Sequence, residues 1–292
     1  MYILKKNRLI GRNREALMSA VIAPALQRLA EATRGLVFDP GPHRYRLERP
    51  GEEPRELDSV SAVVGEYAGK DSRTLAEKSS ANPRSQWYGR PVEEILAAWE
   101  IKRDASAEAG TQVHEFGEQC FNFLTGLPVE DRYSRRVTPD GEGLMAIHPK
   151  EIAAARWWAE QDWSDLVPVA KETRVMNLRY GYAGTFDLLL YRISTGLFPL
   201  KDYKTNGDLD RDFGDKMRPP FSMFPDTDRN KYMLQQNMYD LPMAAADVET
   251  ESISLIWLKD DCSYEDSALP KIGRLMTSAL EARIPKTLTP AM

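Results

Sequence analysis

The sequence is poor in the residues that build disulfide frameworks and soft-metal sites. It holds 2 cysteines, Cys120 and Cys262, and 3 histidines among 292 residues. Two cysteines without paired spacing exclude a four-cysteine zinc or iron–sulfur site and give no disulfide framework. Three histidines leave little room for a histidine-rich zinc site. We therefore expect a reducing compartment and no iron–sulfur cluster.

Long apolar runs and an excess of positive charge are also absent. The apolar runs fall far short of the ~20 residues that a membrane span requires, so no membrane partner is expected. The formal net charge is -5, so any nucleic-acid binding would depend on a local basic surface. Hydrophobic residues make up 42% and charged residues 28%, which argues against extended disorder.

Residue periodicity predicts a mixed α and β domain. Strands are predicted at 36–38, 44–47, 59–64, 167–177, 182–193, 197–205 and 251–258. Helices are predicted at 13–33, 92–124 with a break near Gly110, 149–163, 229–246 and 269–283. The polar segment 206–228 is expected to be a mobile loop. This order predicts an α/β (α+β) fold with a central mixed β-sheet flanked by helices.

The same pattern suggests three regions along the chain. Residues 1–35 are expected to form an N-terminal helical segment, and residues 36–262 the main domain. Residues 263–292 are expected to form a C-terminal helix that packs on the same domain.

Two carboxylates are predicted to face each other on neighbouring strands. Asp187 lies inside a nearly continuous apolar run, and Asp202 lies near the end of the next strand. If Ser194 and Thr195 form the tip of the turn, antiparallel pairing places Asp187 directly opposite Asp202. Like charges there repel, whereas a divalent cation would make the pair a binding site. The alternatives are two unrelated strand-end aspartates, or a bulge near Gly196 that shifts the pairing by one residue.

Lys204 and His114 are further candidates near this pair. Strand alternation places Lys204 on the same face as Asp202, where it could orient or activate a water nucleophile, or stabilise negative charge that develops on a phosphate. A simple surface ion pair is the alternative for Lys204. His114 shares a helical face with Glu118, and imidazole is an acceptable Mn²⁺ ligand, although a lone histidine is more often structural.

Several other polar residues could complete such a site. Glu172, on the preceding strand, either joins the metal ligands or pairs with Lys171 and Arg174. Gln235 and Tyr239 share one helical face and could contact phosphate, sugar or a base, or could simply be polar rim residues. Basic residues that could form part of a single-strand groove are Arg218, Arg229 and Lys231. Many aspartates lie among these basic residues, so the basic residues are weak evidence for a single-strand groove.

Together these segments resemble the PD-(D/E)XK nuclease superfamily, and within it the RecB-like exonuclease branch of phage and mitochondrial genome-maintenance exonucleases. The segments that carry the resemblance are 110–114, 184–187, 202–205 and 235–239. They occur in the family's order, and the segment 59–64 is similar to one that often opens the phage and mitochondrial members. The resemblance covers about residues 36–260 and implies a restriction-endonuclease-like core.

The resemblance also implies roles for individual residues. His114, Asp187, Asp202 and the backbone carbonyl of Tyr203 would hold one or two Mg²⁺ or Mn²⁺ ions. Lys204 would act on the nucleophile, which makes Asp187, Asp202 and Lys204 the expected catalytic residues. Unlike some relatives, the chain lacks the cysteines for an iron–sulfur cluster. It also lacks a P-loop helicase motif, so unwinding would need a partner.

The sequence therefore supports the hypothesis of a metal-dependent DNA exonuclease that acts in recombination, repair or phage DNA processing. The expected partner is DNA with a free end, together with a recombinase or single-strand-binding protein. The expected compartment is the cytoplasm of a bacterial or phage-infected cell, with mitochondria as the other option. The alternatives are a structure-specific DNA endonuclease and a non-catalytic DNA-binding protein on a nuclease fold.

Overall fold

A computed structural model describes residues 1–5, 18–41, 44–69 and 71–283. These residues form an eight-stranded mixed sheet flanked by helices, and a second sheet of two strands. The predicted mixed α/β fold, with a central mixed sheet between helices, is therefore confirmed.

The strands are short near the N-terminus and longest at the centre of the large sheet. Their bounds are β1 Tyr2–Lys5, β2 Leu36–Asp39, β3 Arg44–Leu47, β4 Arg55–Ser59, β5 Gly143–Ala146, β6 Leu166–Asn177, β7 Tyr182–Arg192, β8 Phe198–Lys204, β9 Thr250–Leu258 and β10 Tyr264–Leu269. The large sheet has the order β10-β9-β8-β7-β4-β3-β2, and β6 pairs with β7 outside this path. The pairs β4–β7 and β8–β9 are parallel, and the other pairs are antiparallel.

The described helices range from one turn to about nine turns in length. Their bounds are α1 Ala23–Ala32, α2 Val60–Glu66, α3 Ser72–Ala81, α4 Val92–Thr125, α5 Asp131–Ser134, α6 Pro149–Glu160, α7 Asp228–Ala245 and α8 Gly273–Arg283. A π-helical turn, Met18–Ile22, leads into α1. Within the described ranges, none of these helices combines the length and apolarity needed to cross a membrane.

The central strand β7 creates the place where the predicted site lies. One edge of β7 pairs with β6 along its whole length. The other edge is shared, because β4 pairs at residues 182–183 and β8 pairs at residues 188–189. Residues 184–187 lie between these two ladders. We call this stretch the β7 gap.

The predicted β7–β8 register is confirmed. Leu188 pairs with Lys201, Leu189 pairs with Leu200, and a bridge joins Arg192 to Leu197. The turn closes without the one-residue shift that a bulge near Gly196 would have introduced. Asp187 and Asp202 are thus the next positions along the two strands, where the strands separate.

Two apolar layers enclose the sheet. On one side, Phe186 and Leu189 of β7 belong to a core with Met238 of α7 and Leu280 of α8. On the other side, Leu188 belongs to a core that contains residues of α4 and α6, including the buried tryptophans of α6. Burial of β7 on both faces explains why its sequence is nearly continuously apolar.

Three details of the predicted elements are wrong. Residues 60–64 form helix α2, because Val60, Val63 and Val64 recur at helical spacing and are buried, and the Ser59 side chain accepts a hydrogen bond from the Ala62 N–H. The N-terminal segment begins with β1, which pairs with β5. The C-terminal segment begins with β10, which pairs with β9 and extends the sheet.

Two further predictions concern helix ends and breaks. Helix α4 is continuous through Gly110, where a break was expected, and ends at Gly126 in the left-handed conformation. The start of the N-terminal helix, predicted at residue 13, lies outside the described residues.

Candidate metal centre

The β7 gap turns the Asp187 carboxylate toward the backbone of β8. Asp187 Oδ2 accepts a hydrogen bond of 2.8 Å from the N–H of Tyr203. His114 Nδ1, from α4, lies 3.2 Å from the same oxygen. Asp187 is buried, so these two contacts hold a charged group in an otherwise apolar strand. The predicted helical histidine, His114, therefore lies beside the first carboxylate.

Glycines allow α4 to approach β8 closely. A Cβ atom on Gly117 would lie 2.8 Å from Tyr203 Cε2, and one on Gly110 would lie 3.2 Å from Thr205 Oγ1. A larger side chain at Gly117 would push the helix away from the sheet. Because His114 lies between these two contacts, the glycines determine how near its imidazole comes to Asp187.

Glu172 joins His114 and Asp187 from the neighbouring strand. In the β6–β7 ladder, Lys171 pairs with Leu188 and Thr173 pairs with Phe186, which places Glu172 across from Asp187. One ligand atom from each of His114, Glu172 and Asp187 can be chosen so that all three lie within 4.8 Å of one another. We call these three residues the ligand cluster.

The surroundings of Glu172 favour a role as a metal ligand over a role as an ion-pair partner. Lys171 pairs with Glu118 at 2.6 Å, and the Arg174 guanidinium lies over the Phe38 ring at 6.0 Å. Among the described residues Glu172 has no ion pair. Its φ of 41° is in the left-handed region, a strained conformation for glutamate. Although the residue is exposed, desolvation in the cleft and the nearby Asp187, Glu118 and Asp202 carboxylates raise its pKa to about 9.

Asp202 and Lys204 form a buried pair beside the ligand cluster. The Lys204 ammonium contacts Asp202 Oδ2, but this oxygen has no hydrogen bond of acceptable geometry within the described chain. Burial and the Asp187 charge raise the pKa of Asp202. Burial opposes the charged form of Lys204, yet Asp202 and Asp187 outweigh it, so the pKa of Lys204 is raised. Lys204 is therefore a fixed cation.

Two aromatic side chains contact the last two residues of β8, Tyr203 and Lys204. The Lys204 ammonium lies 4.2 Å from the centroid of the Tyr232 ring. The Tyr203 side chain points to the opposite core, where its hydroxyl accepts a 2.8 Å hydrogen bond from Trp158 Nε1. Trp158 had no predicted role, because only the tertiary structure shows that it contacts the residue between Asp202 and Lys204.

Gln235 and Tyr239 meet the β7 gap from α7. Gln235 Nε2 donates a 2.9 Å hydrogen bond to the Tyr239 hydroxyl. The Tyr239 ring occupies the space above Gly184, where a Cβ atom would lie 2.6 Å from Tyr239 Cε1. The glycine of the segment 184–187 is thus explained by packing, and the two α7 residues come to the same place as Asp187.

Two cavities adjoin the carboxylates. The smaller cavity, about 400 Å³, is lined by residues from all four segments that carry the resemblance, among them His114, Asp187, Asp202, Gln235 and Tyr239. The larger cavity, about 1520 Å³, lies between α4 and the segment 206–232. Both cavities are lined by His114, Glu172 and Lys204, so the ligand cluster lies where they adjoin.

The predicted basic residues lie in different places. Lys231 lines the larger cavity and pairs with Asp226 and Asp228. Arg229 lines neither cavity and forms a bidentate pair with Asp210 at 2.6 and 2.9 Å. Arg218 also lines neither cavity, and its guanidinium contacts the Glu66 carbonyl at 3.4 Å. The structure therefore does not bring Arg218 and Arg229 to the site.

The available donors suit a hard divalent cation. Two carboxylates and one imidazole converge, and Asp202 adds a buried carboxylate oxygen without a hydrogen bond. Mg²⁺ and Mn²⁺ favour oxygen ligands, and Mn²⁺ also accepts imidazole. The residues that line the two cavities include no cysteine. The residues therefore fit the ion that the resemblance implies.

Models of known protein families give no match to this chain, and neither do the curated protein sequences. The geometry of the site itself carries the functional argument.

Proposed function

We propose that this protein is a Mg²⁺- or Mn²⁺-dependent DNA exonuclease of the PD-(D/E)XK superfamily, in its RecB-like branch. The observation that carries the proposal is the convergence of four separate sequence segments. His114, Asp187, the Asp202–Lys204 pair and the Gln235–Tyr239 pair all line one cavity. Together these residues can place a divalent ion, the Lys204 ammonium and hydrogen-bonding side chains around one phosphodiester.

His114, Glu172 and Asp187 would hold the ion, with Asp202 completing its surroundings. A bound divalent ion would polarise the scissile phosphate and lower the pKa of an attacking water. The hydrogen bond from the Tyr203 N–H fixes the direction of the Asp187 carboxylate before any ligand arrives. This preorganisation lowers the energy needed to assemble the site during the reaction.

Lys204 supplies positive charge rather than a base. Its raised pKa keeps the ammonium protonated, and Asp202 and the Tyr232 ring hold it in place. An ammonium in this position would stabilise the negative charge that develops on the phosphate, and would orient water by donating a hydrogen bond. The same environment disfavours removal of a proton from water by Lys204.

Gln235 and Tyr239 would contact the substrate strand. They line the smaller cavity opposite the carboxylates, and the hydrogen bond between them fixes both side chains. We assign DNA with a free end as the substrate and the cytoplasm as the site of action. A recombinase or single-strand-binding protein would be the natural partner in recombination or repair.

The decisive experiment is a cleavage assay on end-labelled DNA. Single-stranded, double-stranded and covalently closed circular DNA, with an RNA strand of the same sequence, are incubated with Mg²⁺, Mn²⁺ or EDTA. We expect metal-dependent release of nucleotides from ends of linear DNA. Asp187→Asn should reduce the rate by about 10²-fold or more, because it removes a charged ligand and the charge beside Lys204.

The matched control is Asp162→Asn, an exposed aspartate that accepts a hydrogen bond from the Ser164 N–H at a turn. This variant should keep the wild-type rate. Efficient cutting of closed circles would instead identify an endonuclease. Binding of DNA without metal-dependent cleavage by the wild type would support the non-catalytic alternative and reject the nuclease.

A further inference from the structure

The larger cavity has a wall that the proposed chemistry does not use. The segment 206–227 forms this wall, and Phe213 lies in it with 69% of its surface exposed. The Arg211 guanidinium lies over the Phe213 ring, 5.1 Å from its centroid. An aromatic ring that lines a cavity and is mostly exposed is available to contact a ligand there.

The loop that carries Phe213 is held on both sides. Asp210, on one side, forms the bidentate pair with Arg229. Asp215, on the other side, accepts a 2.9 Å hydrogen bond at its carbonyl from the Asp226 N–H. Between them, Gly214 adopts a φ of 79° and its N–H donates to Asp212 Oδ1 at 2.6 Å. Phe213 is therefore presented by a defined turn, not by an unrestrained chain.

The larger cavity is lined by eight carboxylates and six cations, so its attraction for an anionic strand depends on the cations that remain unpaired. Four of the six cations pair with carboxylates: Lys231 with Asp226, Lys150 with Asp260, Arg103 with Asp104 and Lys204 with Asp202. Arg211 and Lys102 differ, since neither makes an ion pair with any residue in the described ranges. Lys102 lies on α4, and Arg211 lies on the segment 206–227, so the two cations come from opposite walls. Unpaired cations on two walls suit a ligand with repeated negative charges.

We propose that Phe213 stacks on an unpaired base of the strand that reaches the ligand cluster, with Arg211 and Lys102 facing the phosphates of that strand. This inference rests on the proposed nuclease function and adds the substrate class, which is single-stranded nucleic acid. Aromatic stacking on one base together with nearby cations is the physical basis of single-strand binding. A base inside a duplex is already covered on both faces and cannot stack on Phe213.

Binding and kinetics together test this inference. A fluorescein-labelled single strand and the blunt duplex of the same sequence are titrated with protein by fluorescence anisotropy, with Ca²⁺ in place of Mg²⁺. Phe213→Ala and Phe213→Leu should weaken single-strand binding about tenfold, because they remove the ring, whereas Phe213→Trp should retain it. Duplex binding should be equal in all four proteins. In cleavage assays, the KM for single strands should rise with kcat unchanged.

Met223→Ala is the matched control. Met223 is also apolar, is 61% exposed, belongs to the same segment and lines neither cavity. It should bind like wild type. Unchanged single-strand affinity in Phe213→Ala and Phe213→Leu, or an equal loss on single strands and duplex, would overturn the inference.

The two proposals fail in different ways. The nuclease function fails if wild-type protein releases no nucleotides with either metal. The stacking inference fails if wild-type protein cleaves normally and the Phe213 variants keep its KM. Because Phe213 is exposed, its variants should fold, and equal circular dichroism spectra and melting temperatures establish that they do.

Discussion

The backbone N–H of Tyr203 donates a 2.8 Å hydrogen bond to the Asp187 carboxylate, at the point where β7 and β8 stop pairing. A side-chain carboxylate here takes the place of a carbonyl in the ladder. This contact satisfies a buried N–H group and also directs the charge of Asp187 toward His114. The end of the β7–β8 ladder is therefore also the place where the ligand cluster begins.

The buried Asp202–Lys204 pair should be sensitive to the loss of one partner. Lys204→Met leaves the Asp202 charge buried without its counter-ion, so we expect a loss of about 3–5 kcal/mol in the free energy of unfolding. Cleavage should also be lost, because the fixed cation is gone. Chemical denaturation and the cleavage assay measure the two effects.

A double variant separates these effects. Asp202→Asn together with Lys204→Met removes both charges, so most of the stability should return while cleavage remains absent. If the double variant is as unstable as Lys204→Met alone, the unpaired Asp202 charge was not the cause of the instability.

Gly184 should tolerate no larger residue. In Gly184→Ala the new Cβ would lie 2.6 Å from Tyr239 Cε1 and 2.9 Å from Val60 Cγ2. We expect a loss of about 1–3 kcal/mol in stability from overpacking, and slower cleavage because Tyr239 and its partner Gln235 must move. Gly65→Ala in α2 is the control, since a Cβ there meets nothing within 4 Å. That variant should be neutral or slightly more stable, because alanine favours helix. Equal melting temperatures for the two variants would contradict the packing argument.

Trp158 should position Tyr203 from outside the cavity. Trp158→Phe removes the donor to the buried Tyr203 hydroxyl, which should lower stability by about 1–3 kcal/mol and reduce cleavage through a shift of β8. Trp158→Phe combined with Tyr203→Phe leaves no orphaned polar group, so the double variant should be more stable than Trp158→Phe alone. A double variant that loses the sum of the two single effects would show that the hydrogen bond contributes nothing.

Stability of the metal-free protein should decrease as pH rises. The pKa of Glu172 is raised to about 9 in the folded protein from a usual value near 4.5, so the folded state binds the proton more tightly than the unfolded state. The resulting stabilisation is fully present below pH 4.5 and is lost as pH rises through 9. In EDTA, the free energy of unfolding should fall between about pH 5 and 9, and fall less steeply in Glu172→Gln.

Mn²⁺ should reverse this trend, because the ion binds the ionised carboxylate. Titration calorimetry should show weaker Mn²⁺ binding by Glu172→Gln than by wild type. The exposed Glu52→Gln serves as the control and should follow wild type in both measurements. If Glu172→Gln has the same pH dependence and Mn²⁺ affinity as wild type, Glu172 is not part of the metal site.

Local sequence patterns predicted much of the fold. The long strands β6 to β9 and the helices α4, α6 and α7 have apolar patterns long enough to reveal their type and approximate bounds. The element type of short segments was harder to predict. Three valines in residues 60–64 favour a strand by composition, yet the Ser59 cap and the burial of one helical face made that segment α2. Strand β10 was not predicted, because its apolar and polar residues alternate only weakly and because the strand forms by pairing with β9.

The sequence by itself determined which chemical groups are present and how close neighbours along a strand or helix lie. Strand alternation put Asp202 and Lys204 together, and a short turn set the β7–β8 register. Only the tertiary structure decided which distant groups meet. It brought Glu172 to His114 and Asp187, directed Arg229 to Asp210, and exposed Phe213 beside the larger cavity. The physical reason is that periodicity acts over a few residues, whereas contacts across the sheet depend on how every element packs.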